Sequence, residues 1–156
     1  MKLYHGSTID IAKVDLALSK PNKDFGRAFY LSDDRQQALE MAQFRAEFEE
    51  TEPVVNVYEF DEALFQEFRY RRFEAYTEEW AHFVYDHRTE PHGRTLHNYD
   101  IVYGPIANDR VGAQIARYKQ GYITFDEFLR RIQYIKGITF QYAFCTQRAI
   151  DKLQKI

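Results

Sequence analysis

The sequence has little of several features that mark common protein classes. It contains a single cysteine, Cys145, among 156 residues, so no disulfide can form within the chain, and we expect a reducing compartment. No apolar run approaches the roughly 18 residues that cross a bilayer, and no signal-peptide core stands at the N-terminus. These absences predict a soluble cytoplasmic protein with no membrane partner.

Neither sign of charge dominates the chain. It has 21 basic and 24 acidic residues, a formal net charge of −3, so it has no overall positive field to hold nucleic acid non-specifically. The local run Arg69, Arg71 and Arg72 could still contact nucleic acid, although such runs are more often a solvated face. Charge alone therefore identifies no partner.

Two common kinds of ligand site are also missing. The seven glycines never form G-x-G-x-x-G or G-x-x-x-x-G-K, so the usual dinucleotide and phosphate cradles are absent. Four histidines recur every five residues, at His82, His87, His92 and His97. A step of five rotates a helix by about 500° and changes face in a strand, so they share no face. We predict no metal site.

What the chain does have is apolar and aromatic mass. Hydrophobic residues make up 45% of it and aromatic residues 17%, far from the composition of a disordered chain. A chain of this length buries well over half of its unfolded surface in one core. Since no linker or low-complexity tract interrupts it, we expect a single domain over residues 1–156.

The predicted elements mix strands and helices without a regular βαβ rhythm. Strands are predicted over residues 2–5, 53–60, 100–105 and 138–145, which are rich in β-branched and aromatic residues. Helices are predicted from a cap at Ser32 or Asp33 to Glu50, over residues 77–85, 109–118 and 124–134, and after Thr146. This order favours an α+β fold with mostly antiparallel pairing.

Three segments carry residues suited to chemistry. They are Tyr4-His5-Gly6-Ser7, the run from Asp24 to Ser32 (Asp-Phe-Gly-Arg-Ala-Phe-Tyr-Leu-Ser), and Phe140-Gln141-Tyr142-Ala143-Phe144. Each has an ordinary interpretation by itself: a surface turn, a packed aromatic pair, and a glutamine that satisfies a neighbour. Their joint occurrence in this order is what carries information.

The first two segments resemble the first two motifs of the ADP-ribosyltransferase superfamily, in its His-Tyr branch of diphtheria-type toxins and poly-ADP-ribose polymerases. With the block over residues 100–109 (Asp-Ile-Val-Tyr-Gly-Pro-Ile-Ala-Asn-Asp) and the Gln141 strand, they resemble the bacterial domain-of-unknown-function family 3990 within it. The resemblance implies an ADP-ribosyltransferase-like split antiparallel β-sandwich with surrounding helices, and NAD in the cleft between the sheets. Ala28 departs from the polymerases, which often have a second glycine there.

The resemblance also implies a role for each site residue. It assigns NAD binding to His5, Gly6, Ser7, Arg27 and Tyr30, and catalysis to His5, Tyr30 and Gln141. The histidine would donate to ribose hydroxyls, and the glycine would admit the carboxamide to the backbone. The tyrosine ring would stack on the nicotinamide, and the arginine would lie near the phosphates. No metal is expected.

Gln141 stands where the superfamily usually places a glutamate. Cleavage of the nicotinamide–ribose bond develops positive charge on the sugar. A neutral amide can accept a hydrogen bond from the ribose but cannot hold negative charge or act as a base. We therefore expect mono-ADP-ribosyl transfer in preference to chain extension, with either slower chemistry or an acceptor that is nucleophilic without help.

The expected function is that of an NAD-dependent mono-ADP-ribosyltransferase, which moves ADP-ribose to a protein or nucleic acid and releases nicotinamide. Bacterial relatives often act as toxins restrained by a small neighbouring protein, so the resemblance also implies a toxin-like role and an antitoxin partner. Two alternatives stay open: an NAD glycohydrolase, with water as acceptor, and a non-catalytic module that binds NAD, ADP-ribose or another protein.

Overall fold

Two β-sheets with helices packed around them form an α+β architecture, as the order of predicted elements indicated. The computed structural model describes residues 1–134 and 137–156. In these residues the strands are β1 (Lys2–Ser7), β2 (Phe29–Leu31), β3 (Val54–Glu59), β4 (Tyr70–Arg72), β5 (Ile101–Pro105), β6 (Phe140–Phe144) and β7 (Gln154–Lys155). The α-helices there are α1 (Arg35–Glu49), α2 (Glu78–Thr89), α3 (Val111–Lys119), α4 (Phe125–Arg131) and α5 (Gln147–Ile150), and short 3-10 helices cover Leu16–Leu18 and Glu62–Glu67.

The two sheets are joined by a backbone bridge and separate beyond it. The first has the strand order β1-β3-β7 and the second β2-β6-β5-β4. Pairing is antiparallel apart from β4 with β5, which is parallel. A bridge joins the sheets where the N–H of Tyr4 donates to the carbonyl oxygen of Ser32 at 2.8 Å and the N–H of Ser32 donates back at 2.9 Å. Beyond this bridge β1 and β2 diverge, which opens a cleft between the sheets.

Apolar side chains fill two layers. One cluster joins Leu3 of β1 and Tyr58 of β3 to Ile101 of the second sheet, so it lies between the sheets. The other packs Val102 of the second sheet against Trp80 of α2 and side chains of α3 and α4. Neighbouring strand residues point to opposite faces, so β5 serves both layers. This explains its unbroken apolar run in the sequence.

Helix α1 covers the first sheet through small side chains. Its buried residues are Ala38, Ala42 and Ala46, which let the helix backbone approach β1 closely. A Cβ built on Gly6 would lie 2.1 Å from the carbonyl oxygen of Ala38. Gly6 is thus the point where strand and helix touch, and β1 continues through it to Ser7, beyond the predicted end at residue 5.

Most of the long elements match their predictions, whereas the three shortest strands were not predicted. The strands β3, β5 and β6 lie within the predicted ranges, and Thr124 and Thr146 cap α4 and α5 as expected. The strands β2, β4 and β7 have three residues or fewer. Such segments are too short to show a period and form through pairing with distant strands. Of the helices that the structure describes, none has the length and apolarity to cross a membrane.

Candidate functional site at the split between the sheets

A cavity of about 110 Å³ lies where β1 and β2 diverge. It is smaller than the roughly 300–1,000 Å³ typical of ligand pockets, so it accommodates one ring-sized group and leaves the rest of a larger ligand in the open cleft. Four of the six predicted site residues line it: His5, Gly6, Tyr30 and Gln141. Three segments that are remote in sequence therefore converge on one site.

The other two predicted residues, Ser7 and Arg27, are not part of this lining. Ser7 is buried, and its hydroxyl oxygen accepts a hydrogen bond from the N–H of Ile9 at 3.3 Å. The guanidinium of Arg27 donates to the carbonyl oxygens of Ala17 and Ser19. Arg27 thus fastens the loop around the first 3-10 helix to the second motif, which is a different task from the predicted contact with phosphates.

His5 is held as a neutral ring with a defined tautomer. Its Nδ1 lies 2.7 Å from the carbonyl oxygen of Tyr30. Because a carbonyl oxygen only accepts, Nδ1 carries the proton and Nε2 keeps a lone pair. Desolvation by burial lowers the pKa of His5 to about 4, although the hydrogen bond to Tyr30 acts to raise it. At neutral pH the free nitrogen of His5 is therefore an acceptor, whereas the sequence-based expectation made it a donor.

The hydroxyl of Tyr30 is committed to the loop that precedes it. It donates to the carbonyl oxygen of Gly26 at 2.8 Å and accepts from the N–H of Phe25 at 2.9 Å. Burial, the largest cause, raises the pKa of the Tyr30 phenol well above its ordinary value. Gly26 has φ of +87°, which favours glycine. The hydroxyl thus holds this turn, and the ring is what Tyr30 offers to the cavity.

Gln141 contacts a buried carboxylate. Its Nε2 donates to Oδ2 of Asp24 at 3.2 Å, while Nε of Arg88 donates to Oδ1 of Asp24 at 2.8 Å. Asp24 is only 6% exposed. A carboxylate accepts only, so the hydrogen-bond network assigns the amide nitrogen to Asp24 and leaves Oε1 of Gln141 free to accept.

Sequence reasoning missed the role of Asp24, although this residue opens the second motif. The feature of the sequence that could have indicated this role is an acidic residue directly before Phe25-Gly26, within the second of the three segments. Its partner Arg88, on α2, gave no such signal, because a lone arginine on a helix is usually solvated. Only the packing of α2 against the second sheet brings the two together.

The backbone of Gly6 faces the cleft. Successive residues of an antiparallel strand direct their N–H and C=O groups to alternate sides. Tyr4 turns its groups toward Ser32 and away from β3. Gly6, two residues further on, points the same way, at the position where β2 has already diverged. The edge of the cleft thus offers one backbone donor and one acceptor side by side.

Arg45 of α1 is a cation that the sequence reasoning missed. Its side chain is exposed and lines the cavity. Its positive charge also contributes to the lowered pKa of His5, as the second lowering cause after desolvation. The site therefore combines a neutral ring, an amide, backbone groups and one positive charge.

Two of the histidines that recur every five residues, His87 and His97, make hydrogen bonds between separate segments. Nδ1 of His87 lies 2.8 Å from the carbonyl oxygen of Phe83, and its Nε2 accepts from the N–H of Leu96 at 3.0 Å. Nε2 of His97 lies 2.9 Å from the carbonyl oxygen of Phe25. These contacts join α2 to the second motif. Across residues 1–134 and 137–156, no group of three His, Cys, Asp or Glu side chains is arranged to hold a metal ion.

The split sheets and the cavity between them define an α+β protein with a candidate ligand site at a sheet junction. The model of a family described as protein of unknown function (DUF3990) matches residues 1–155. The chain belongs to this family, as the resemblance of its motifs predicted. Neither the curated proteins nor the solved structures contain a match to it.

Proposed function

We propose that this protein is an NAD-dependent mono-ADP-ribosyltransferase with an ADP-ribosyltransferase-like split β-sandwich. The observation that carries the proposal is the convergence of His5, Gly6, Tyr30 and Gln141 on one cavity at the split between the sheets. These residues come from the three segments in which the sequence resembles the superfamily. Their order along the chain did not require that they meet, so the shared cavity is independent support.

The nicotinamide end of NAD suits the inner part of the cavity. A primary carboxamide has one acceptor oxygen and an NH2 donor group, which complement the N–H and C=O of Gly6. The cationic nicotinamide ring would lie on the ring of Tyr30, where stacking and cation–π attraction act together. A cavity of about 110 Å³ leaves room for a group of this size.

The ribose next to nicotinamide would lie between His5 and Gln141. Nε2 of His5 and Oε1 of Gln141 both accept hydrogen bonds, and the two hydroxyls of this ribose both donate. The match in polarity supports a ribose in this position. In this arrangement His5 accepts a hydrogen bond from a ribose hydroxyl, whereas the sequence-based expectation was that it donates one.

The phosphates would lie in the open cleft beside α1. Arg45 is the exposed cation of the cavity lining, and a guanidinium suits phosphate oxygens. We therefore transfer to Arg45 the phosphate contact that was expected of Arg27, whose guanidinium is bound to main-chain carbonyls.

In the proposed reaction the bond between ribose C1′ and the nicotinamide nitrogen breaks, and its electron pair moves to nicotinamide, which leaves neutral. A lone pair of the acceptor forms the new bond to C1′, and the acceptor's proton passes to solvent. The described lining of the cavity contains no aspartate or glutamate. The lining thus lacks a carboxylate base, and burial lowers the pKa of His5 to about 4, so its Nε2 is only a weak base. Both features support transfer to an acceptor that is nucleophilic by itself.

Two other readings use the same cavity. With water as acceptor the protein would be an NAD glycohydrolase, and the absence of a lining carboxylate counts against efficient activation of water. The neutral side chain of Gln141 instead favours the third hypothesis, a module that binds NAD or ADP-ribose and catalyses no reaction. The transferase and the glycohydrolase both require NAD at the split between the sheets, whereas the non-catalytic module could bind NAD, ADP-ribose or another protein.

The proposal is tested by incubating the purified protein with NAD and measuring free nicotinamide, with and without cell lysate. Transfer predicts release above the buffer level, together with label from NAD on protein or nucleic acid of the lysate. Release without labelled macromolecule would favour the glycohydrolase. No release under either condition would contradict catalysis, and calorimetry with NAD would then test the binding module.

A toxin-like role with a small antitoxin partner belongs to the same proposal. Inducible expression in bacteria should arrest growth for the wild-type chain and not for a Tyr30→Ala variant that accumulates to the same level. Normal growth with active wild-type enzyme would contradict the toxin-like role while leaving the transferase intact.

A further inference from the structure

We propose that Asp24 is a positioning residue of this site: it orients the amide of Gln141 toward the ribose and supplies, through that amide, the negative charge that a glutamate would carry itself. The inference rests on the proposed function. It assigns to this chain a two-residue substitute for the missing acid, formed by side chains 117 positions apart.

Orientation is the first effect. An unrestrained glutamine can present either its oxygen or its nitrogen to a ligand. The acceptor-only carboxylate of Asp24 binds the nitrogen and so selects the oxygen for the cavity. Arg88 donates to the other carboxylate oxygen and prevents Asp24 from rotating away. The amide of Gln141 is thus set before a ligand arrives.

Polarisation is the second effect. An amide whose N–H donates to a carboxylate gains electron density on its oxygen, and hydrogen bonds in series strengthen one another where water is excluded. Asp24 is buried, so its charge is little screened. The oxygen of Gln141 therefore becomes a stronger acceptor as positive charge develops on the ribose.

The charged and titratable groups that surround Asp24 come from several elements. They are Arg88 of α2, the adjacent Lys23, Tyr30 of β2 and Tyr134 after α4. The two phenols have raised pKa values, so they are neutral near pH 7. Arg88 is the cation bonded directly to Asp24, through Nε at 2.8 Å.

The chain contains a matched control for Asp24. Asp100 is 5% exposed and accepts a hydrogen bond from Arg148 at 2.8 Å. It stands at the other end of the second sheet, where its carbonyl oxygen accepts from the N–H of Cys145. Asp100→Asn therefore removes a buried, arginine-paired carboxylate without touching Gln141.

The first experiment compares nicotinamide release by D24N and D100N. Loss of the charge next to Gln141 should lower kcat by about 10-fold or more with little change in KM for NAD, because the effect acts in the transition state. D100N should keep kcat. If D24N and D100N have the same kcat, or if D24N changes KM alone, the inference is overturned.

The pH profile separates electrostatic coupling from a merely structural role. Q141E places a second carboxylate beside Asp24, and repulsion between the two charges raises the pKa of the pair's second ionisation. The activity of Q141E should therefore rise with pH at neutral values, and the D24N/Q141E double variant should move this rise to lower pH. Identical pH profiles for the single and double variants would overturn the coupling.

A readout independent of activity distinguishes this inference from the proposed function. The side-chain amide resonances of Gln141, assigned by their loss in Q141A, should shift in D24N and stay in place in D100N. If the wild-type protein releases no nicotinamide, the proposed function fails and the resonance shift still tests the contact. Unshifted Gln141 resonances in D24N would remove the basis for the inference.

Discussion

Nδ1 of His5 and the carbonyl oxygen of Tyr30 lie 2.7 Å apart, although 25 residues separate them along the chain. This contact joins the first two motifs across the point where the sheets part. It fixes the tautomer of His5 and directs Nε2 as an acceptor. The polarity of the proposed ribose contact follows from this one hydrogen bond.

Replacement of Gly6 by alanine should destabilise the fold. The new Cβ would lie 2.1 Å from the carbonyl oxygen of Ala38, and backbone on both sides leaves little freedom to relax. Overpacking of this kind costs about 1–3 kcal/mol or more. Urea denaturation should show a lower midpoint, and the variant should lose NAD binding because α1 must move.

Gly112→Ala is the matched control for that substitution. Gly112 lies in α3, and a Cβ there would meet nothing within 4 Å. Gly112 is the second residue of α3, so alanine there should keep the stability or raise it slightly, because glycine loses more backbone entropy on folding. Equal effects of the two substitutions on the free energy of unfolding would contradict the close contact at Gly6.

Tyr30→Phe should separate the two tasks of Tyr30. The variant loses the bridge between the N–H of Phe25 and the carbonyl oxygen of Gly26, which we expect to cost about 1–3 kcal/mol of stability. The ring remains, so the affinity for NAD measured by calorimetry should change little, whereas Tyr30→Ala should abolish binding. Tyr122→Phe, at a residue that is 75% exposed, should change neither quantity. A Tyr30→Phe variant as stable as wild type would contradict the bridge.

Stability should decline as the solution becomes acidic. Burial lowers the pKa of His5 to about 4, and it also lowers the pKa values of His87 and His97, from an unfolded value near 6.5. Below pH 6.5 the unfolded chain therefore binds more protons than the folded one, so folding is disfavoured increasingly as pH falls. The contribution of His5 is fully present above pH 6.5 and is lost progressively down to about pH 4.

Denaturation midpoints measured between about pH 7 and pH 4 test this dependence. His5→Asn should reduce the slope over that interval, because the variant lacks the buried imidazole whose pKa is lowered. Since His5 stays neutral above about pH 6, nicotinamide release should be nearly independent of pH from 6 to 8. If His5→Asn left the slope unchanged, burial would not lower the pKa of His5 in the folded protein.

Arg45 and Arg27 should respond differently to truncation. Arg45→Ala should weaken NAD binding about 5- to 20-fold at low salt and less at high salt, because the phosphate contact it supplies is exposed and screened. Arg27→Ala should lower stability by releasing the carbonyls of Ala17 and Ser19, with little effect on affinity. Arg35→Ala, at an exposed position of the same helix as Arg45, is the control for a general loss of charge. If the Arg45→Ala and Arg35→Ala variants bound NAD with equal affinity, Arg45 would not contact the phosphates.

Motifs and elements differ in how far local patterns could predict them. The segments around His5 and Tyr30 were recognisable because residue type and order are properties of the chain itself. The strands β3, β5 and β6 showed enough β-branched and aromatic residues to be predicted. The parallel strand β4 has only three residues, and its formation depends on β5, which follows about 30 positions later. No local signal encodes such a pairing.

The α+β class, the family and four residues of the candidate site, His5, Gly6, Tyr30 and Gln141, could be predicted from the sequence, because composition, periodicity and motif order are local properties. The tertiary structure alone decided which of those residues meet. It turned Arg27 toward main-chain carbonyls, brought Arg45 to the cavity and placed Asp24 against Gln141. The physical reason is that these contacts depend on how α1, α2 and the two sheets pack, and close packing between distant segments leaves no periodic trace along the chain.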